Sequence, residues 1–172
     1  MDFEDDELIR RIASRDERAL VALHNAYYRR LTRFLLRMSR RPDIVAEVIN
    51  DVLLTIWSKA DTFRGDSKPS TWIIGIAYRR ALKALEKDRR QAEVVDPNLA
   101  PIDLSGVERD LDLDATMAGI TADQRAVVEL AYFFGYSYRE IAKMLDCSEN
   151  TVKTRMHRAR AALRSQFEMP DV

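Results

Sequence analysis

The chain has 172 residues, of which 47% are hydrophobic and 33% charged, enough for one compact domain or two small ones. No apolar run approaches the ~20 residues of a membrane span, and the acidic residues 1–6 lack the positive charge of a secretion signal, so we expect a cytoplasmic protein. The formal net charge is zero, but the charges are unevenly distributed. Residues 1–92 carry 19 basic and 14 acidic side chains, residues 93–120 carry one basic and seven acidic, and residues 121–172 carry eight basic and seven acidic. Basic surfaces that could bind nucleic acid are therefore not excluded.

The hydrophobic pattern predicts an all-α fold. Apolar residues recur mostly at three-to-four spacing, and the chain has only five glycines and five prolines. Four helices are predicted in the first half: one that begins near residue 5 or 6, where carboxylates suit a helix N-terminus, and then 16–38, 42–59 and 70–90.

An acidic segment divides the chain. Residues 93–112 contain Pro97, Pro101 and Gly106 among carboxylates and are predicted to be an exposed linker. The linker separates two small helical domains, residues 1–92 and residues 113–168. In the second domain about four shorter helices are expected, the first of them opened by a capping box.

Residues 137–160 have the spacing of a helix-turn-helix. Ser137 and Glu140 form a capping box, a tight turn follows at Cys147, which we interpret as a small buried residue, and Ser148 can cap the next helix. That helix is predicted to bury an apolar face and to present a polar face to duplex DNA, with flanking cations for phosphates. The candidate contacts are Asn150, Lys153, Thr154, Arg155, His157 and Arg158. A solvated basic helix that caps a bundle is the alternative interpretation.

Residues 63–90 form a second candidate nucleic-acid segment. A polar loop with a glycine precedes a helix that mixes Trp72 and Tyr78 with several cations. Aromatic side chains can stack on bases while cations neutralise phosphates, so the pattern suits single-stranded DNA. On these residues alone, Trp72 is equally interpreted as part of the core.

Taken together, the two segments resemble the extracytoplasmic-function group of sigma-70 factors. The sequence Phe63-Arg-Gly, followed by Thr71-Trp72 and Ile76-Ala77, looks like the promoter-melting segment of that group. Residues 149–163 look like its helix for the upstream promoter element. The resemblance covers nearly the whole chain, and both motifs occur in the expected order.

This resemblance implies a non-enzymatic sigma factor that binds core RNA polymerase and directs promoter-specific initiation. The first domain would bind polymerase and melt the −10 element, its loop 61–69 accepting a flipped-out base, and the second would recognise the −35 element as duplex. The residues implied for contact with −10 DNA are Phe63, Arg64, Ser67, Trp72, Tyr78, Arg79 and Lys83.

The third predicted helix departs from the family pattern at its polymerase-binding surface. The family has Asp-Ala-Glu-Asp and then Leu-Val-Gln-Glu, whereas this chain has Ile44-Val-Ala-Glu and then Val48-Ile-Asn-Asp. Two expected carboxylates are therefore replaced, by Ile44 and Ala46. The residues implied for polymerase binding are Glu47, Asn50, Asp51 and Leu54.

Helical geometry places Thr55 one turn beyond Asp51, on a stripe opposite the core that also includes Ile44. We hypothesise that Thr55 is exposed and that its phosphorylation restores the missing charge; harmless loss of charge is the alternative. A Ser/Thr kinase would then be a partner, in place of or beside an anti-sigma protein.

Two other function classes make different predictions. A stand-alone helix-turn-helix regulator would bind duplex DNA tightly without polymerase. An enzyme is disfavoured, since the sequence shows no nucleotide-binding glycine loop and no nucleophile spaced with a base. With one cysteine and two distant histidines, no disulfide, catalytic residue, metal or cofactor is expected.

Overall fold

The computed structural model describes residues 2–39, 41–92 and 119–167, and these residues contain helices and no β-strand. The first domain holds α1 (Asp2–Ala13), α2 (Glu17–Met38), α3 (Pro42–Lys59), a short 3-10 turn (Ala60–Thr62) and α4 (Pro69–Ala92). The second domain holds α5 (Ala122–Val128), a π-helical turn (Glu129–Phe133), α6 (Tyr138–Met144) and α7 (Glu149–Phe167). The predicted linker 93–112 lies outside the described residues.

The predicted bounds of α2 and α3 are confirmed to within a residue, whereas α1 begins at Asp2, earlier than expected. The difference comes from Asp5, which was assigned to the helix N-terminus. Asp5 is buried inside the helix, where its carboxylate accepts a 2.6 Å hydrogen bond from the Tyr27 hydroxyl of α2. Burial, followed by this hydrogen bond, raises the pKa of Tyr27, so the hydroxyl stays a donor.

The first domain is a bundle of α2, α3 and α4 with α1 packed across it. Each helix contributes a stripe of fully buried apolar side chains at helical spacing: Ile9, Ile12, Leu23, Leu31, Phe34, Leu35, Val52, Ile56, Ile73 and Ile74. Fully burying one such side chain contributes about 1.5–3 kcal/mol, so the stripes decide which helix faces meet.

Local chemistry sets the helix ends of the second domain as predicted. Both capping boxes are present, Thr121 with Gln124 at the start of α5 and Ser137 with Glu140 at the start of α6. After the π-helical turn, the chain reverses at Gly135 with φ +69°, a left-handed conformation that favours glycine.

The two domains pack against each other, with α4 of the first lying along α6 of the second. The two helices approach closely at Gly75 in the N-terminal third of α4, where an added Cβ would lie 2.9 Å from the carbonyl oxygen of Met144. Beside this contact, the rings of Phe34 and Phe134 meet edge to face at 6.1 Å. The sequence left closed and open arrangements equally open, and the structure is closed.

The buried pair of Asp5 and Tyr27 yields a stability prediction. Tyr27→Phe should lower the free energy of unfolding by about 1–3 kcal/mol, because the buried carboxylate of Asp5 loses its donor. Urea unfolding measures the change. The matched control is Tyr28→Phe on the exposed side of α2, which should have no effect; equal losses in the two variants would contradict the prediction.

Candidate functional site

The N-terminal half of α7 presents the polar face that the sequence predicts. The Ser148 hydroxyl accepts a 3.0 Å hydrogen bond from the Thr151 amide and so caps the helix. Val152, Met156 and Ala159 are buried against α5 and α6, which fixes the rotation of the helix. The predicted contacts that lie exposed on the outer side are Asn150, Lys153, Thr154, His157 and Arg158.

Arg155 departs from this pattern. It is half-buried, and its guanidinium forms an ion pair with Asp123 at the start of α5. Arg155 is therefore not free to contact DNA in this conformation, because Asp123 of the same domain already pairs with it, and its DNA contact stays a prediction. Cys147 nearby is half-buried rather than buried, and this burial raises the pKa of its thiol.

The loop before α4 forms an aromatic and polar surface. The rings of Phe63 and Trp72 lie 5.2 Å apart, tilted by 46°, and both side chains are half-buried against the core. Arg64 is exposed beside Gly65, whose φ of +73° makes the turn that projects the loop, and Ser67 is half-buried. The loop and the start of α4 therefore place two half-buried aromatic rings near an exposed cation.

On α4 itself the predicted contacts divide into two groups. Arg79 and Lys83 are exposed, but Tyr78 is only 3% exposed, and its hydroxyl donates a 2.6 Å hydrogen bond to Asp123. Burial, with this hydrogen bond, raises the pKa of Tyr78. The prediction of an accessible Tyr78 is wrong for this conformation, because the second domain covers that face of α4.

The stripe on α3 is exposed where polymerase contact was predicted. Leu54 is 66% exposed, and Glu47 and Asn50 are exposed beside it at helical spacing. Cations of α4 lie close to the carboxylates, with Lys87 Nζ 3.5 Å from Glu47 and an Arg80 nitrogen 3.9 Å from Asp51. An exposed apolar side chain next to carboxylates is suited to a basic partner surface that also offers an apolar contact.

Two residues of α3 that were expected to be exposed on the same stripe are buried instead. Ile44 is buried, and Thr55 is only 8% exposed. The Thr55 hydroxyl donates to the Asp51 carbonyl at 2.6 Å and accepts from Arg80 Nε at 3.1 Å. The expectation of an exposed Thr55 is wrong, because Arg80 of α4 lies across it. Phosphorylation at Thr55 stays a prediction, without the accessibility on which it was based.

Sequence reasoning missed the residues that hold the domains together. Asp123 was counted only among the charges, and Gly75 only as part of a motif. The available signal was Gly75, because a glycine in the middle of a helix is unfavourable unless another group must approach closely.

Two kinds of site are not found in the part of the chain that the structure describes. None of its helices has the length and apolar character needed to cross a bilayer. Within the same residues, no three His, Cys, Asp or Glu side chains are grouped so that they could hold a metal ion.

Comparisons with known proteins match both domains. Residues 23–91 match sigma-70 region 2, and residues 110–163 match sigma-70 region 4. The ECF RNA polymerase sigma factor SigX of Bacillus subtilis is 30% identical, over 89% of this chain and 86% of SigX. The ECF RNA polymerase sigma factor SigK of Mycobacterium tuberculosis is 29% identical, over 95% of this chain and 94% of SigK.

Two solved structures share the fold. The structure of CnrH in complex with the cytosolic domain of CnrY matches with a TM-score of 0.72 at 21% identity. The match covers 96% of this chain and 97% of the chain in that structure. The structure of the sigma factor RpoE in complex with the anti-sigma factor NepR, from Bartonella quintana, matches with a TM-score of 0.68 at 23% identity. The match covers 87% of this chain and 97% of the chain in that structure.

The capping box of α6 predicts a pH dependence. Hydrogen bonding to the Ser137 amide and hydroxyl, with help from Lys68, holds the pKa of Glu140 below its ordinary 4.5. A depressed pKa stabilises the folded state above pH 4.5, and this stabilisation is lost as pH falls through the lowered pKa. The difference in unfolding free energy between wild type and Glu140→Gln should therefore shrink in acid. A pH-independent difference would contradict the assignment.

Proposed function

Since this chain belongs to the extracytoplasmic-function group of sigma-70 factors and so binds core RNA polymerase and directs promoter-specific initiation, we propose how its surfaces divide this work. The first domain, residues 1–92, binds polymerase and melts the −10 element, and the second, residues 113–168, recognises the −35 element. The match of one sigma-70 region to each side of the linker supports this division. Sigma factors are non-enzymatic regulators, and we propose no catalytic residue, metal or cofactor here. The protein acts in the cytoplasm, with polymerase.

The polymerase contact is assigned to the stripe of Glu47, Asn50, Asp51 and Leu54. The observation that supports it is Leu54, a large apolar side chain that is 66% exposed one helical turn beyond Asp51. The pairs of Glu47 with Lys87 and of Asp51 with Arg80 involve exposed side chains at 3.5 and 3.9 Å, so each contributes little to stability. A basic partner surface can therefore replace these internal cations at small cost.

Recognition of the −35 element is assigned to the exposed face of α7. Its N-terminal residues Asn150, Lys153 and Thr154 lie where a helix-turn-helix contacts base edges, while His157 and Arg158 lie one turn further along. Arg158 is suited to a phosphate contact, which positions the helix without specifying sequence.

Melting of the −10 element is assigned to the loop and α4. The paired rings of Phe63 and Trp72 provide a stacking surface, Ser67 lies beside them in the loop, and the exposed Arg64, Arg79 and Lys83 follow the separated strand. Tyr78 belongs to this surface only after the domains separate, because it is buried between them in the closed form.

An anti-sigma protein is a candidate inhibitor. The related RpoE is in complex with the anti-sigma factor NepR, and the fold of this chain is similar over 87% of its length. A Ser/Thr kinase acting on Thr55 is the other candidate, and it would have to displace Arg80 first. A stand-alone regulator is not favoured, since the chain carries region 2 as well as region 4.

The polymerase surface is tested by Leu54→Asp. Affinity for bacterial core RNA polymerase should fall by about tenfold or more, or ~1.4 kcal/mol, because an apolar anchor is replaced by a charge. The control is Val21→Asp, an exposed apolar residue on α2.

Promoter-specific transcription by wild type should appear only when core is added. Transcription without core, or equal affinity losses in Leu54→Asp and Val21→Asp, would refute the assignment.

The duplex surface is tested by comparing two cations of α7. Lys153→Ala should weaken the binding of holoenzyme to its promoter by about 1–3 kcal/mol, because a contact with a base edge is lost. It should also relax the base preference at one position of the upstream element. Arg158→Ala should weaken holoenzyme binding similarly on every promoter and reduce its salt dependence. Binding to a panel of promoter variants distinguishes them, and indistinguishable profiles would mean that the wrong face of α7 was chosen.

A further inference from the structure

We propose that the packing between the two domains is an autoinhibitory lock, in which Asp123 holds Tyr78 of α4 and Arg155 of α7 together. Gly75 makes the lock possible by letting α4 and α6 approach closely. The inhibitory effect rests on the DNA contacts proposed above, whereas the lock itself rests on the geometry of the interface.

The centre of the lock is the carboxylate of Asp123. One oxygen accepts a 2.6 Å hydrogen bond from the Tyr78 hydroxyl, and the other pairs with the Arg155 guanidinium. Both partners of Asp123 belong to helices that are proposed to contact DNA. Tyr78 lies on α4, which is assigned to single-stranded DNA, and Arg155 lies on α7, which is assigned to duplex DNA. Arg155 is therefore paired with a carboxylate of this chain, at the position where a DNA phosphate would otherwise bind.

The close approach depends on Gly75. Glycine in a helix interior is about 1 kcal/mol less favourable than alanine, so its presence in α4 requires a reason. An added Cβ would lie 2.9 Å from the Met144 oxygen and 3.4 Å from the Met144 Cα. Both atoms are backbone, so no side-chain rotation can relieve the contact. The interdomain packing supplies the reason for the glycine.

Further polar contacts join α2 of the first domain to the second domain. Arg30 donates to the Tyr136 hydroxyl and lies over its ring, with the guanidinium carbon 5.2 Å from the ring centre. Arg37 pairs at 3.1 Å with Glu129, which is only 1% exposed. An interface with so many charged contacts is of the kind expected between domains that separate.

The second domain also restrains the melting loop. Lys143 Nζ donates a 2.8 Å hydrogen bond to the Asp66 carbonyl in the loop, and Lys68 lies 3.6 Å from Glu140 of α6. The closed form therefore buries Tyr78, occupies Arg155 and restrains the loop at the same time. DNA affinity of the free protein is reduced in proportion to the fraction of molecules that are open.

The lock is tested on the full-length protein without polymerase. Gly75→Ala should separate the domains, because the new methyl group meets the Met144 backbone, while helix content is kept. Asp123→Asn should weaken the interdomain bridge, because a neutral amide oxygen accepts a weaker hydrogen bond from the Tyr78 hydroxyl than a carboxylate does, and it should also release Arg155. Gly75 is buried within α4, and neither residue is among the side chains assigned to contact DNA or polymerase. The matched control is Asn25→Ala, an exposed position on α2 that gives the same helix-favouring change without touching the interface.

Small-angle X-ray scattering should show a larger radius of gyration for Gly75→Ala, Asp123→Asn and the double variant than for wild type and Asn25→Ala. Affinity for a short oligothymidine at low salt should rise severalfold in the same three variants. Since misfolding lowers affinity, a gain cannot come from a damaged domain.

An extended wild type, or variants as compact as wild type, would overturn the lock. Opening without a gain in affinity would overturn its inhibitory role. Failure of the proposed function is separately visible, because it would remove core-dependent transcription without changing the scattering result.

Discussion

The approach of α4 to α6 at Gly75 is the constraint on which the arrangement of the molecule depends. With 2.9 Å between the Met144 oxygen and the place of an absent Cβ, the helices meet backbone to backbone. That distance brings the Tyr78 hydroxyl within 2.6 Å of Asp123 and covers one face of α4. A missing methyl group thus decides which side chains of α4 solvent can reach.

Arg80 connects the two working surfaces of the first domain. Its side chain donates to the Thr55 hydroxyl at 3.1 Å and lies 3.9 Å from Asp51, so α4 supplies a cation to the acidic stripe of α3. A basic partner that binds Asp51 competes directly with a side chain of the melting helix. If polymerase binds the acidic stripe as proposed, its binding is coupled to the conformation of α4 through an ion pair that is weak enough to exchange.

Charge has different uses at the surface and in the interior. The buried carboxylates Asp5 and Glu129 each meet a named donor or cation, Tyr27 and Arg37, because an unpartnered charge would be costly there. The exposed carboxylate of Glu47 lies 3.5 Å from Lys87 Nζ, and because both side chains are exposed, this pair contributes little to stability. The buried pairs hold helices and domains together, and the exposed ones remain available to other molecules.

The sequence by itself determined the helices, the two domains, the capping boxes and the polar face of α7, because helical periodicity and cap chemistry act within a few residues. Only the tertiary structure decided the exposure of Asp5, Thr55, Tyr78 and Arg155. Each was assigned to an outer face of its own helix or to its end, and each is covered by another helix or domain. A helical wheel gives the direction of a side chain, whereas burial also depends on what packs there, and that is set by contacts between residues far apart in the chain.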